Sequence, residues 1–430
     1  MQKRIFSRRE AVWEGKLQKV AIGAQTLGTR VVANGVILPV RSCAHKAPGA
    51  SYMLEGLFAG GVATARYAFV AGQLRNSGKP RTNYSCCKAY RPKGTVAERD
   101  ERVVFGGVLY GHYGHMLLDG LSRMWWYAQN QDTQLKFVFV TMPGESPRVA
   151  KELLGLLGLN EDRYEIIDQP TRFAQVIVPD QAVFSLEGKA YGQWLATFDL
   201  IRDRCVASST IEPRERIYLT RTQLPNNDGV GEEYYERFYA SRGYDVIAPE
   251  TLPLQDQVKL YACAKHIACT MGTLSHAALF AVPGTELTCL LRCGATNMPQ
   301  LIVNEARGLD WHMFDAFRNV LPTEQGHGAY LYVPTPYFGD YAHACGWDVP
   351  PVREGDSDVY HVPDELVASY LRLWLRTYDD PRSFRAIQGK TIFDVLNSLS
   401  ISFDDVELQR SLYCDKKPGV LARIRHKLAR

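Results

Sequence analysis

Short apolar runs broken by turn residues fill the first 110 positions of the chain. "RVVANGVILPV" (30–40), "ARYAFVAG" (65–72) and "ERVVFGGVLYG" (101–111) have strand-like lengths and are punctuated by Gly, Asn or Pro, so they predict strands. From 112 the period becomes helical. "LKFVFVTM" (135–142) then reads as a buried strand, because it is short, rich in β-branched and aromatic residues, and closed by Pro143-Gly144. A helix follows, with Ser146 as its cap, Pro147 in its first turn, Val149, Leu153, Leu156 and Leu157 on one stripe, and Gly158 as its stop. "RYEIID" and "QVIVPD" continue the strand series.

A second series starts at 216. "RIYLTR" predicts a strand, "EEYYERFYASRG" a helix with Tyr235, Phe238 and Tyr239 on one face and Gly243 as its stop, and "YDVIAP" a strand. "PLQDQVKLYACA" predicts a helix, "HIACT" a strand, "TLSHAALFA" a short helix and "TELTCLL" a strand. Strands and helices alternating at this spacing imply βαβ units and a parallel sheet covered on both faces, as in Rossmann-like domains. Between the two series, 185–215 is polar and contains "STIEPRER", which is expected to be a hinge. After 295 the pattern is irregular until "PDELVASYLRLWLRTY" (363–378), an amphipathic helix with Leu366, Tyr370, Leu371, Trp374 and Tyr378 on one side. A chain of 430 residues suits two domains rather than one core. The expected boundaries are 1–205 for a first lobe, 206–350 for a second, and 351–430 for C-terminal helices and a tail.

Composition changes this picture little. With 46% hydrophobic and 22% charged residues the chain is an ordinary globular one, and a net charge of +4 argues against wholesale nucleic-acid binding. The exception is 415–430, where Lys416, Lys417, Arg423, Arg425, His426, Lys427 and Arg430 alternate with Val420, Leu421, Ile424 and Leu428. That is a basic amphipathic helix, suited either to an anionic membrane surface or to plain solvation. No apolar run approaches the roughly 18 residues that would cross a bilayer, and the N-terminus develops no apolar signal core. A cytoplasmic location is therefore expected. The ten cysteines include no C-x-x-C pair, so reduced thiols are expected, and Cys289 and Cys293 have no companion pair for a metal.

"GHYGHMLLDGLSRMWW" (111–126) carries the first candidate chemistry. On a helix, His112, His115, Asp119, Ser122 and Arg123 share one face, while Met116, Leu117, Leu121, Met124 and Trp125 can enter the core. The helix would start just past a strand end, where α/β sheets open a cleft. An imidazole or carboxylate there can take a proton from a hydroxyl, and Arg123 can orient Asp119 or meet a phosphate. Other readings of the same residues stand beside this one: a metal held by His112 and His115 in a hydrolase or phosphotransferase, a plain ion pair between Asp119 and Arg123, or a hydrogen bond from His112 at the helix start. The second candidate is "CTMGTLSHAALFAVPGTELTCLLR" (269–292), a strand-to-helix turn at Gly272-Thr273 with Ser275 and His276 beside it. Such a turn can hold phosphate, and Arg221, at the end of "RIYLTR", belongs to the same carboxyl edge. An anion-binding protein without transferase activity would need no more than this second group.

Taken in order, "GHYGHMLLDGLSRMWW", "RIYLTR" and "GYDVIAPETLPLQDQVKLYACAKHIACTMGTLSHAALFAVPGTELTCLL" resemble glycosyltransferase family 61 over roughly residues 100–292. In that family Gly272 and His276 match a Gly-Ser-Ala-Leu-His-Asn form of the turn, with Ala277 at the Asn position. Many members carry a second arginine soon after the one matching Arg221, where this chain has "TQLPNN". The resemblance implies an α/β fold of GT-B type, with two Rossmann-like lobes facing a cleft and a C-terminal helix crossing back. It also implies inverting transfer from a nucleotide sugar, here expected to be UDP-linked, to a glycan or lipid-linked glycan acceptor, with no cofactor and no obligatory metal. It assigns Arg221, Gly272, Thr273, Ser275 and His276, and with them Glu286, to the donor. His112, His115 and Asp119 fall on the acceptor side, with Asp119 as base, His115 as its close second and Arg123 as orienter. A cytoplasmic enzyme of bacterial capsule or lipopolysaccharide assembly, peripheral at the inner membrane, is the corresponding expectation.

Overall fold

The computed structural model describes residues 4–42, 58–79, 82, 84–319, 321, 323, 328–350 and 362–377. Two large sheets organise the chain. The first contains four parallel strands in the spatial order Tyr164–Ile166, Lys136–Thr141, Ala97–Leu109 and Thr171–Pro179. Antiparallel strands Val36–Ser42, Phe58–Ala63 and Phe69–Ala71 extend it beyond Thr171–Pro179. Val103 to Leu109 and Phe137 to Val140 are buried almost without gaps, as strands covered on both faces must be.

Every strand of the second sheet is parallel. Its spatial order is Asp245–Ile247, Arg216–Leu219, His266–Thr270, Glu286–Leu291, Asp310–Asp315 and Ile5–Phe6. The βαβ series expected from 216 onward is therefore present, and Tyr235, Phe238 and Tyr239 point inward from the helix Glu233–Ala240 as their spacing implied. Among the four parallel strands of the first sheet the chain order reverses between Ala97–Leu109 and Thr171–Pro179, and among the strands from Arg216 to Asp315 in the second it reverses between Arg216–Leu219 and His266–Thr270. Strand ends at such a reversal diverge and leave a crevice.

Several expectations are corrected. The first strand, Ile5–Phe6, pairs with Asp310–Asp315, so a first unit running from residue 1 to 205 does not describe where the chain begins. The expected hinge at 185–215 is largely the helix Leu195–Ser208, whose Thr197, Phe198, Ile201 and Cys205 are buried. Phe198 meets Phe280, from the second sheet's layer, at 5.5 Å between ring centroids, within one apolar cluster that also holds Leu117, Phe137, Ile217 and Leu287. A helix with one buried stripe lies within that shared apolar cluster, where polar composition suggested a joint. The helix Arg148–Leu156 starts from Pro147 without a side-chain cap from Ser146, and turns Ala150, Leu153 and Leu154 inward. The helix Asp364–Thr377 packs Val367, Ala368, Tyr370, Leu371 and Trp374 against Leu321, Ala329, Leu331 and Val333, on the second sheet's side; its described part does not cross to the first sheet. The amphipathic tail at 415–430 and Tyr378 lie outside the described residues. No helix among the described residues is long and apolar enough to cross a membrane.

Candidate active site

The strand Ala97–Leu109 runs out through Tyr110 and Gly111 at the reversal point of the first sheet, and the helical segment that follows is not a regular α-helix. One short turn, Tyr113–His115, passes into a π-helical turn, Met116–Gly120, before a new helix forms at Trp125–Gln129. A π-turn inserts an extra residue per turn, and such insertions favour functional sites. His115 and Asp119 still face one another: His115 Nδ1 lies 3.2 Å from Asp119 Oδ2.

Asp119 is 0% exposed and its oxygens are fully engaged. Ser185 Oγ donates to Oδ1 at 2.7 Å, and Arg75 Nε lies 3.2 Å from Oδ2, beside His115. Arg75 Nε also donates to Ser185 Oγ, which ties these groups together. Burial alone would raise the Asp119 carboxyl, but Arg75 and the bonds from His115 and Ser185 outweigh it and hold it below the ordinary carboxylate range. A carboxylate can only accept, so His115 Nδ1 carries the hydrogen of that bond, which in the neutral ring leaves the lone pair on Nε2. The His115 side chain is 23% exposed. Of the pair, His115 is the side chain open to solvent, and Asp119 is enclosed.

Arg123 does not orient Asp119. Its guanidinium is buried and donates to the backbone carbonyls of Pro179 and Gly72, which clasps two strands of the first sheet. Ser122 accepts from the backbone N–H groups of Ala182 and Val183. Arg75 and Ser185 are the orienters that sequence reasoning missed. They come from loops 44 residues before and 66 residues after Asp119, and no local spacing announces them.

The reversal point of the second sheet holds the other group. Arg221 follows the strand Arg216–Leu219, and Gly272 follows His266–Thr270. Gly272 has φ +144°, a conformation glycine tolerates, and a Cβ there would come within 3.0 Å of Arg292 Nη2. Arg292, one residue past the strand Glu286–Leu291, is the second arginine of this edge, with its guanidinium 4.6 Å from the Tyr330 ring centroid. The sequence carries the same signal at "LLR" as at "LTR", an arginine at a strand's carboxyl end. Asp228 bridges the two cations, with Oδ1 3.1 Å from Arg221 Nη2 and Oδ2 3.4 Å from Arg292 Nη1. Beneath them, buried Glu232 accepts from Tyr218 Oη and from the Arg221 N–H. Burial, opposed by Arg221, pushes its carboxyl up to about 8.

Two residues expected at this edge are elsewhere in function or in place. Ser275 is buried and turned inward: its Oγ accepts from the Gly272 N–H and donates to Gln300 Oε1, so it braces the turn against the helix Met298–Arg307. Glu286 opens its strand, at the opposite edge of the sheet, and pairs there with His266 Nδ1 at 3.0 Å. Strand direction keeps it away from Gly272.

The two edges meet. Thr273 Oγ1 lies 3.1 Å from where a Cβ on Gly114 would be, so the turns 112–115 and 272–276 touch. The His112 ring is 5.3 Å from that of His115. Burial first, then His115, Arg221 and Arg292, push its pKa down to about 4. His276 is pushed down to about 3, by burial and then by His115, His112 and Arg292. Both imidazoles are thus neutral at ordinary pH and face a pair of cations. His112, expected on the acceptor side, stands between His115 and the arginines. Among the described residues, no group of three or more His, Cys, Asp or Glu side chains is placed to hold a metal ion.

Residues 113–288 match the family described as Glycosyltransferase 61, and no curated protein matches the chain. The match supports that family and a glycosyltransferase activity for this segment. It covers His115, Asp119, Arg221, Gly272 and His276, and it stops short of His112, Arg75 and Arg292.

Proposed function

We infer that this protein is an inverting glycosyltransferase of GT-B type, which moves a sugar from a nucleotide-sugar donor to a hydroxyl of a growing bacterial surface glycan. The observation that carries this reading is the juxtaposition of an oriented imidazole, His115 held by Asp119, with two arginines, Arg221 and Arg292, at sheet edges that touch. One side of that arrangement accepts a proton; the other neutralises a departing anion.

In the reaction, the acceptor oxygen attacks the anomeric carbon from the face opposite the diphosphate, and His115 Nε2 takes the proton that this oxygen loses. The bond from the anomeric carbon to the diphosphate oxygen breaks, and its electron pair stays on that oxygen. Arg221 and Arg292 stabilise the charge that develops there, in a site where burial strengthens each interaction. Attack opposite the leaving group inverts the anomeric configuration. Asp119 meanwhile stabilises the imidazolium, as its bond to Nδ1–H strengthens when the ring becomes charged.

The donor is proposed to be UDP-linked and the acceptor a glycan or lipid-linked glycan. A cytoplasmic enzyme carried against the inner membrane by the basic amphipathic segment 415–430 would fit such an acceptor. Thermal shift of the protein with UDP, GDP, CMP and dTDP, with and without EDTA, tests the donor half. Stabilisation by one nucleotide that survives EDTA is expected. If none stabilises the fold, or if only added metal does, the reading fails.

A further inference from the structure

We propose that Asp228 is a built-in counter-anion that occupies the place of the donor's diphosphate and returns to it when the nucleoside diphosphate product leaves. The inference rests on the reading that Arg221 and Arg292 hold that diphosphate.

Asp228 gives one oxygen to each guanidinium, at 3.1 and 3.4 Å. Among the described residues no other carboxylate lies within ion-pair distance of either arginine. Glu232 is the other carboxyl at hand, and it bonds the backbone N–H of Arg221 rather than its guanidinium. Burial keeps it protonated at neutral pH, so the charge opposing the two cations belongs to Asp228. A single carboxylate against two arginines leaves an excess positive charge, which attracts an anion of higher charge into the same place.

The attachment of Asp228 suits an exchange. It lies in the segment between the strand Arg216–Leu219 and the strand Gly229–Val230, on the crevice side of the sheet. Its backbone carbonyl is fixed by the Tyr330 N–H at 2.8 Å, while its side chain keeps 19% exposure. The backbone is anchored, and the carboxylate can rotate away about its own side-chain bonds without moving the sheet. A diphosphate presents oxygens to two guanidiniums as a carboxylate does, but two anions cannot occupy one arginine pair without repulsion. Entry of the donor must therefore expel the Asp228 carboxylate, and the return of that carboxylate helps to eject the product.

The test compares wild type with Asp228→Asn and Asp228→Ala for binding of UDP and of inorganic pyrophosphate by calorimetry, for thermal stability without ligand, and for steady-state turnover. Both variants are expected to melt lower without ligand, because a buried and a half-buried cation lose their partner, and yet to bind UDP and pyrophosphate more tightly, roughly tenfold for the loss of one competing ion pair. Turnover at saturating donor is expected to fall along with KM for the donor, because product leaves slowly. Should the wild type bind UDP while both variants bind it equally or more weakly, Asp228 is merely a brace for the arginines and the proposal fails, with the transferase reading intact. If neither wild type nor variants bind UDP or pyrophosphate, this edge holds no diphosphate and both readings fall.

Discussion

At the scale of residues, the chemistry depends on which of two neighbouring groups is shut in. His115 and Asp119 stand four positions apart, and that spacing already implies contact. It does not say which partner faces the substrate, because burial of Asp119 is the work of Arg75 and Ser185, which arrive from distant loops. Replacement His115→Ala is expected to lower turnover by about 10²- to 10⁴-fold while leaving nucleotide-induced stabilisation unchanged. Asp119→Asn should also cost orders of magnitude in turnover, since an amide can donate to Nδ1 and drive the hydrogen to Nε2; donor KM should stay near the wild-type value. Glu232 gives a prediction in stability. Its folded pKa of about 8 lies above the ordinary carboxyl value of 4.5. Its contribution is therefore complete below pH 4.5 and is lost as pH rises through 8. Melting temperature should fall between these limits, and Glu232→Gln should flatten that fall and melt above wild type at pH 8.

At the scale of elements, the alternation of strands and helices from 216 to 291 was legible almost throughout, because parallel strands buried on both faces read as unbroken apolar runs. Arg221 and Gly272 were legible for the same reason: a polar residue or glycine just past such a run must lie at the carboxyl edge. Arg292 obeys that rule too, and Glu286 was misplaced by ignoring it, since a residue that opens a strand lies at the other edge. The irregular turn at Met116–Gly120 could not be read from a helical pattern, since a π-turn shifts the face by one residue without changing composition. The joint at Leu195–Ser208 was missed for another reason: Asp199, Arg202, Asp203 and Arg204 stand between Phe198, Ile201 and Cys205 and make a buried stripe look like polar linker. The strand Ala97–Leu109 also contains a register shift between Phe105 and Gly107. A Cβ on Gly106 would sit 2.1 Å from the Phe139 ring, which is itself buried. Gly106→Ala should therefore destabilise by about 1–3 kcal/mol in denaturant unfolding, with a larger loss for Gly106→Val.

At the scale of the whole molecule, the site exists only while two sheet edges are held in contact, and the helix Leu195–Ser208 does much of that holding. Phe198 is fully buried between Trp194 and Phe280, at 5.3 and 5.5 Å. Phe198→Ala should cost about 3–5 kcal/mol of stability, measured by urea unfolding. Turnover should drop more than either isolated half-site would explain, since a displacement of an ångström between base and leaving group is enough to slow transfer.

The pairing of Ile5–Phe6 with Met313–Phe314 has a consequence for how the chain is made. A ribosome delivers the outermost strand of the second sheet first and its partner some three hundred residues later. Until then those two residues have no ladder to join, and every intervening strand of that sheet must be laid down before the edge can be sealed. The first sheet, by contrast, can assemble from residues emerging in one continuous stretch. Vectorial synthesis would thus complete the half that carries the base before the half that carries the arginines, and splitting the gene near residue 210 would leave the second half with Asp310–Asp315 as a bare, adhesive edge.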